Sequence, residues 1–246
     1  PAILPDASNR QGLPAFASVG DVLNAYEGDD AIFVLYPKKI AAAARTFLNG
    51  FPGTVLYAVK ANPHPAVIKT LWTSGIRNFD VASTREVDLV RSIAPHAKLF
   101  LMHPVKSRAT IRQAYEAGVR DFSFDSADEL QKMLEETGYA PDLTFHLRLA
   151  LPKGNAAMPL SGKFGADRAA AIELLKAARP HVAHLGVTFH VGSQCLDIED
   201  YGRALSWVRS IVDDADVEID SVDCGGGFPV AYPGMSHKPM GNYFAA

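Results

Sequence analysis

The 246-residue sequence is poor in the features that mark several large protein classes. It has two cysteines, Cys195 and Cys224, too few and too widely spaced for a disulfide-rich secreted scaffold or a cysteine metal site. We expect both to be free thiols in a reducing compartment. No apolar run approaches the ~18 residues of a membrane span, and the first residues, PAILPDASNR, lack the segments of a signal peptide. These absences predict a cytoplasmic protein that does not act at a membrane.

Concentrated positive charge is also missing. Basic residues never cluster beyond a pair such as Lys38–Lys39, and the formal net charge is −3, so the sequence lacks the electrostatic surface of a nucleic-acid-binding protein. Histidine, cysteine and acidic residues do not occur at metal-ligand spacings, and we therefore expect no metal ion. Apolar residues make up 48% of the chain, which is enough for a globular protein to bury a sizeable core.

Short apolar segments alternate with helical patterns along most of the chain. Between the predicted strands the apolar period becomes helical, as in residues 201–212, and Ser126 with Glu129 forms a capping-box pattern before another helix. Seven strands of this regular series are predicted, at residues 54–61, 78–83, 98–104, 121–126, 144–151, 185–193 and 218–227.

The alternation favours an α/β fold, a (β/α)8 TIM-type barrel, over an open sheet, because no Rossmann glycine fingerprint is present. Seven strands are one fewer than a closed barrel needs, and the unpaired edges of an open barrel promote aggregation. We therefore expect further residues after Ala246, or another chain, to complete it. We divide the chain into residues 1–50, a strand at 31–37 and a helix leading into the barrel, and residues 51–246, a barrel truncated before its last strand.

Each strand of the series has a polar or glycine residue near its carboxyl end. In a parallel barrel these ends meet at one face, where barrel enzymes have their active sites. The sequence therefore predicts a polar site at one mouth of the barrel. Its members are Lys60, Asp80, His103, Asp125, Arg148, His190 and the Gly225–Gly227 run.

Lys60 follows the strand LYAV and has two interpretations. A lone lysine at a loop start is most often a surface residue paired with a carboxylate. Partial burial would instead make its amine a nucleophile toward a carbonyl, as in Schiff-base enzymes. Asp80 would lie beside Lys60 and could hold the amine, whereas Ser83 and Glu86 primarily form a capping-box pattern.

The remaining candidates also have a structural and a functional interpretation. His190 is either a satisfied core histidine or a flat neighbour for a planar ring, with the Ser193 hydroxyl close to the same ligand. Arg148 lies among apolar residues, and a buried guanidinium needs an anion or a cofactor heteroatom as its partner. Gly225–Gly227 either mark a tight turn or let backbone N–H groups approach an anion.

One cofactor accounts for the whole set. Pyridoxal 5′-phosphate needs a lysine for its aldehyde, backbone N–H groups for its phosphate, a flat neighbour for its ring and polar groups around its pyridine. It needs no metal ion.

The motifs YAVKAN, FDVASTRE, HPVKS, FDS, LRL…KFG, FHVGSQ and DCGGGFPVAYPG, in this order, resemble the fold-type III pyridoxal-phosphate decarboxylases, in particular the ornithine decarboxylase group. The resemblance covers about residues 32–246 and implies an alanine racemase-like barrel. It also implies that Lys60 and His190 are catalytic, Lys60 as the Schiff-base lysine and His190 stacked on the pyridine. The other cofactor-binding residues would be Ser193, Gly225, Gly226 and Gly227 at the phosphate and Asp80, Glu86 and Arg148 around the ring and its imine.

The resemblance further implies decarboxylation of a small basic amino acid, most simply L-ornithine to putrescine in polyamine biosynthesis, by a homodimer. HVGSQ also occurs in related diaminopimelate and arginine decarboxylases, whereas GGGFP and HPVKS are more similar to the ornithine/lysine group, so lysine, arginine and diaminopimelate remain alternative substrates. The family's downstream glutamate at the pyridine nitrogen and its C-terminal β-domain are absent from these 246 residues, and we expect this chain alone to be inactive.

Two other classes of protein remain as alternatives. A pyridoxal-phosphate carrier made of the barrel alone has about this length, although the early strand at 31–37 indicates a second domain. A non-catalytic homologue that regulates a true decarboxylase usually loses cofactor-binding residues, and here Lys60, His190 and the glycines are present.

Overall fold

The computed structural model describes residues 13–152 and 163–245. The chain divides into two compact units, Pro1–Lys39 and Ile40–Ala246. This boundary lies before the one expected after residue 50. The reason is that Phe47, in helix α2 (Pro37–Gly50), packs edge-on against the rings of Phe228 and Phe244, so most of α2 belongs with the larger unit.

In the first unit, helix α1 (Val19–Ala25) begins at Ser18, which forms a reciprocal capping box with Asp21. The strand expected at 31–37 does not form: the backbone of residues 31–36 has no regular structure, and α2 begins at Pro37. A strand needs a neighbour to pair its N–H and C=O groups. None of the described residues pairs with this segment, and Phe33 in it is 93% exposed.

The larger unit contains the predicted parallel sheet. Its seven strands run parallel, and each pairs with the next in chain order, so consecutive units of the barrel are neighbours in space. This is the architecture of an incomplete TIM-type barrel with β1 and β7 at its edges. The strands are β1 (Leu56–Ala58), β2 (Asn78–Val81), β3 (Lys98–Leu101), β4 (Asp121–Phe124), β5 (Thr144–Arg148), β6 (His184–Thr188) and β7 (Ser221–Asp223).

Helices connect the strands and cover one face of the sheet. Four of them begin at a side chain that accepts a hydrogen bond from the third helical N–H group, namely Ser83, Ser107, Ser126 and Asp167. No helix in the two described ranges is long and apolar enough to cross a membrane. The helices are α3 (Pro65–Thr73), α4 (Thr84–Ile93), α5 (Arg108–Glu116), α6 (Ala127–Glu136), α7 (Arg168–Ala178), α8 (Glu199–Ala215) and α9 (Met240–Phe244).

The two faces of the sheet differ in polarity because side chains alternate along each strand. The helix-facing residues are fully buried and apolar, and they form the core; Phe79, Phe122 and Phe145 are examples. The opposite face points into the barrel and is polar. Its members include Asp80, Asp121, Ser123, His146, Arg148, Thr188 and Asp223.

The edge at β7 is open. A groove of about 550 Å³ lies between β7 and α8, with Leu205, Val208 and Val222 among its lining residues. Val222 is 39% exposed at this edge. The exposed apolar surface is that expected where a parallel barrel lacks its next strand and helix.

Candidate active site

Lys60 lies just beyond the carboxyl end of β1. The strand gives way to a 3-10 helix, Val59–Ala61, in which Val59 is fully buried and Lys60 is exposed. The Tyr57 hydroxyl donates to the carbonyl oxygen of Asn62 across this turn, at 3.2 Å. The amine is therefore displayed by a turn at the mouth of the barrel, and a ligand can reach it.

Asp80, at the end of β2, is the acidic neighbour of this amine. Burial raises the pKa of Asp80 to about 7; the charge of Lys60 opposes the rise, and the charges of Asp223 and Glu86 add to it. A carboxyl group with a pKa near neutrality can both accept and release a proton at working pH.

Glu86 has a capping role. Its carboxylate accepts a hydrogen bond from the N–H of Ala82 at 2.7 Å, and its own N–H donates to the Ser83 hydroxyl at 3.3 Å. The structure thus supports the capping interpretation. The negative charge of Glu86 also raises the pKa of Asp80.

Arg148, the last residue of β5, has unused hydrogen-bond donors. Its Nε atom is buried, and the guanidinium has no acceptor among the described residues. Burial lowers the pKa of Arg148, while the charges of Asp223, Asp125 and Asp80 oppose that effect. A guanidinium held by surrounding charge without direct hydrogen bonds is available to an acceptor atom of a ligand.

His190 follows β6 and is neutral at physiological pH. Burial, together with the charges of Arg148 and Lys60 and against the charge of Asp223, lowers its pKa to about 4. The Nδ1 atom accepts a hydrogen bond from the N–H of Gly192 at 2.9 Å. In the neutral ring the proton is therefore on Nε2, and the imidazole forms an uncharged plane at the mouth.

The Gly225–Gly227 turn requires glycine. The φ angles are 39°, 81° and 85°, in the left-handed region. A Cβ atom on Gly225 would lie 1.8 Å from the carbonyl oxygen of Phe189, and one on Gly227 would lie 2.3 Å from that of Gly192. The backbone after β7 thus packs directly on the backbone after β6, and no side chain fits between them.

The N–H groups of this turn are not equivalent. The N–H of Gly225 donates to Asp223 at 2.9 Å and is already used. Those of Gly226 and Gly227 have no acceptor within the described part of the chain, and the partly buried Ser193 hydroxyl has no partner there either. The expectation that all three glycine N–H groups bind a phosphate stays a prediction, and Gly225 uses its N–H within the protein.

Comparisons with known proteins identify the family. Residues 37–245 match the family described as "Pyridoxal-dependent decarboxylase, pyridoxal binding domain". The chain belongs to this family. Its cofactor is pyridoxal phosphate.

Relatives and a solved structure agree with the family match. The lysine/ornithine decarboxylase of Selenomonas ruminantium is 36% identical over 72% of this chain and 45% of its own, and the ornithine decarboxylase of Mus pahari is 34% identical over 81% and 44%. The antizyme inhibitor 2 of Xenopus laevis is 34% identical over 82% and 45%. A crystal structure of SrLDC with PLP and cadaverine has a TM-score of 0.79 at 27% identity, covering 94% of this chain and 59% of that one. The chain thus spans less than half the length of these curated relatives.

The mouth residues of this decarboxylase domain fit the cofactor. Arg148 offers a buried donor without an acceptor in the described ranges, Gly226 and Gly227 offer N–H groups that no described residue accepts, and His190 offers a neutral plane. Lys60 supplies the accessible amine. An aldehyde, a phosphate and an aromatic ring are the groups of pyridoxal phosphate that residues of these types can hold.

Sequence reasoning did not single out Asp223 or Thr188. The Thr188 hydroxyl donates to the Asp223 Oδ2 atom at 2.8 Å, and the charge of Asp223 affects the pKa values of Asp80, Arg148 and His190. The period of two in β6 and β7 could have found both, since it places them on the inward face next to the glycine run.

Two other polar residues predicted at the mouth, His103 and Asp125, contact the loop that contains Phe164 and Gly165. The Asp125 Oδ2 atom accepts a hydrogen bond from the N–H of Gly165 at 2.9 Å, and the His103 ring lies edge-on to Phe164 with 5.3 Å between ring centroids. The Phe164 ring also lies 5.9 Å from the Arg148 guanidinium carbon. The KFG motif thus contacts the mouth at β3, β4 and β5.

Proposed function

We propose that the complete protein is a pyridoxal-phosphate-dependent decarboxylase of basic amino acids, with L-ornithine as substrate and putrescine as product. The observation that carries this proposal is the convergence of Lys60, Asp80, Arg148 and His190 at one mouth, at the carboxyl ends of β1, β2, β5 and β6. The names of the relatives, which include ornithine and lysine/ornithine decarboxylases, support the substrate class.

Each residue has a role that follows from its geometry. Lys60 would bind the cofactor aldehyde through its exposed amine, and Asp80, whose pKa is raised to about 7, would be the nearby group able to accept or release a proton. Arg148 donates to an acceptor on the cofactor, and His190 packs its neutral ring against the cofactor plane. When bound, pyridoxal phosphate accepts the electrons of the bond broken at the substrate Cα.

The phosphate end is fixed by a separate group of donors. The N–H groups of Gly226 and Gly227 and the Ser193 hydroxyl have no protein partners in the described ranges and are available to the phosphate. Glu86 acts indirectly, through its charge on Asp80 and through the start of α4. The protein thereby orients the cofactor so that one bond at Cα is aligned for cleavage.

The test is a product assay on the complete protein that carries this sequence. Ornithine, lysine, arginine and diaminopimelate are supplied separately with pyridoxal phosphate, and the amine products are measured. We expect putrescine from ornithine at the highest kcat/KM, and loss of activity in Lys60→Ala but not in the control Lys69→Ala, whose lysine lies exposed on α3. Turnover of none of the four substrates would contradict the proposal.

A regulatory role is the second candidate, because antizyme inhibitor 2 is 34% identical over 82% of this chain. Such a protein would bind another polypeptide rather than turn over an amino acid. Tight pyridoxal phosphate binding together with turnover excludes it, while a folded protein without either property favours it.

We also propose that the complete protein is a homodimer and is cytoplasmic. The dimer follows from the family resemblance and is tested by light scattering at several concentrations. The location is supported by the free thiols of Cys195 and Cys224, whose pKa values burial raises to about 12 and about 11, so that both are protonated and unreactive at neutral pH.

A further inference from the structure

We propose that Asp223 is a positioning residue that fixes the glycine turn in its phosphate-binding shape. This inference rests on the proposed function and assigns a role to a carboxylate that does not itself need to touch the cofactor.

Both carboxylate oxygens of Asp223 are engaged by the protein. The Oδ1 atom accepts the N–H of Gly225 at 2.9 Å, and Oδ2 accepts the Thr188 hydroxyl at 2.8 Å. The backbone carbonyl of Asp223 accepts the N–H of Phe189 at 3.1 Å. Because Thr188 is the register partner of Asp223 across β6 and β7, the side chain is held from both strands.

The hydrogen bond to Gly225 determines the path of the turn. A carboxylate that accepts the N–H two residues later forms an Asx turn, which reverses the chain locally. Here it occurs while Gly225 has a φ of 39° and its backbone lies directly on the carbonyl of Phe189. The next two N–H groups, of Gly226 and Gly227, then remain free of protein acceptors in the described ranges.

This arrangement prepares the phosphate site before the ligand arrives. A glycine turn without such a bond would be ordered only on binding, and the ordering would weaken affinity. The negative charge of Asp223 is unfavourable for a phosphate, but Gly225 and Thr188 donate to it and the Arg148 cation lies nearby. The benefit of Asp223 therefore comes from its acceptor geometry, so asparagine, which retains an acceptor oxygen, should replace it in part.

The experiment measures pyridoxal phosphate affinity and thermal stability together in the complete protein. We compare Asp223→Ala and Asp223→Asn with the control Asp220→Ala, which removes a carboxylate just before β7. Asp220 accepts the N–H of Leu185 and pairs with Arg179, away from the glycine turn. The dissociation constant is measured by equilibrium dialysis.

We expect Asp223→Ala to raise the dissociation constant about tenfold or more, since one charge-assisted hydrogen bond is worth about that factor. We expect Asp223→Asn to stay within about threefold of the unsubstituted protein, and Asp220→Ala to lower the melting temperature without changing the affinity. Thr188→Val, which removes only the second contact, should give an intermediate loss and serves if Asp223→Ala does not fold.

The outcomes separate the two proposals. Unchanged affinity in Asp223→Ala, or in Thr188→Val where the alanine variant does not fold, overturns the role of Asp223 alone. Equal loss of affinity in the Asp220→Ala control also overturns it, because the effect would then be a general loss of stability. Absence of pyridoxal phosphate binding by the unsubstituted protein overturns the proposed function and this inference with it.

Discussion

At the scale of single residues, the site depends on ionisable groups whose environment keeps them away from their usual charge states. Asp80 is the clearest case, since burial raises its pKa to about 7, and His190 is the reverse case, with its pKa lowered to about 4. A neutral imidazole and a carboxyl group poised near neutrality suit a site that binds a planar ring and moves a proton.

The raised pKa of Asp80 predicts a pH-dependent stability effect. A folded state that binds a proton more tightly than the unfolded state loses stability as pH rises between about 4 and 7. Asp80→Asn should therefore stabilise the cofactor-free protein at pH 8, by about a few kcal/mol, and the gain should disappear toward pH 4. Urea unfolding at several pH values checks this.

The control for this prediction is Asp142→Asn on the surface, whose carboxylate pairs with Arg120 and is largely exposed. It should show no gain at pH 8. If Asp80→Asn were equally stable or less stable than the unsubstituted protein at pH 8, the raised pKa of Asp80 would be contradicted.

Glycines give a second test at this scale. Gly227→Ala should destabilise the protein by about 2 kcal/mol or more, because φ is 85° and the new Cβ would meet the Gly192 carbonyl oxygen at 2.3 Å. Gly202→Ala is the matched control: Gly202 lies in α8 with nothing within 4 Å of the added atom, and alanine should stabilise the helix by about 0.5–1 kcal/mol. We expect denaturant unfolding to show a lower free energy of unfolding for Gly227→Ala and a higher one for Gly202→Ala. Changes of the same sign would contradict this expectation.

At the scale of elements, the hydrophobic period correctly predicted the seven strands and the helices between them. It did not predict where the strands end or which charged side chains form ion pairs. The strand predicted at 54–61 stops at Ala58, because the chain turns into a 3-10 helix that frees Lys60 from the sheet. The segment 31–36 has strand-like composition and no partner among the described residues, so composition alone does not make it a strand.

The capping box predicted from Ser126 and Glu129 is confirmed for the Ser126 side chain only. Ser126 caps α6 by accepting the N–H of Glu129, but the Glu129 carboxylate pairs instead with the buried amine of Lys106 at 3.0 Å. Lys106 also donates to the carbonyl oxygens of His103 and Ser123, and burial lowers its pKa to about 8. Lys106 lies in the motif HPVKS and Glu129 in the motif SADE, but nothing in the sequence indicates that their side chains form an ion pair.

This buried pair predicts a large effect at the junction of β4, α5 and α6. Glu129→Ala should reduce the free energy of unfolding by about 3–5 kcal/mol, because it leaves the Lys106 charge buried without its partner. Glu135→Ala, which removes the exposed pair with Arg108 and an exposed hydrogen bond from Gln131, should have little effect. Comparable losses in urea unfolding would contradict the structural role assigned to the Lys106–Glu129 pair.

At the scale of the whole molecule, parallel strand order explains why residues far apart in sequence form one site. Lys60, Asp80, Arg148 and His190 lie at the ends of β1, β2, β5 and β6, and the parallel register brings these ends to the same mouth. That much followed from the strand–helix rhythm. The dependence on Asp223 did not, because its importance comes from the Thr188 and Gly225 contacts, which only the folded register creates.

Reductive trapping of the cofactor shows whether the Lys60 amine binds the aldehyde of pyridoxal phosphate. The complete protein is incubated with the cofactor, reduced with borohydride, and examined by intact mass and peptide mapping. The account predicts a single pyridoxyl group on the peptide containing Lys60, and none in Lys60→Ala. A folded protein that gains no adduct, or that gains it on another lysine such as Lys106, would contradict the account.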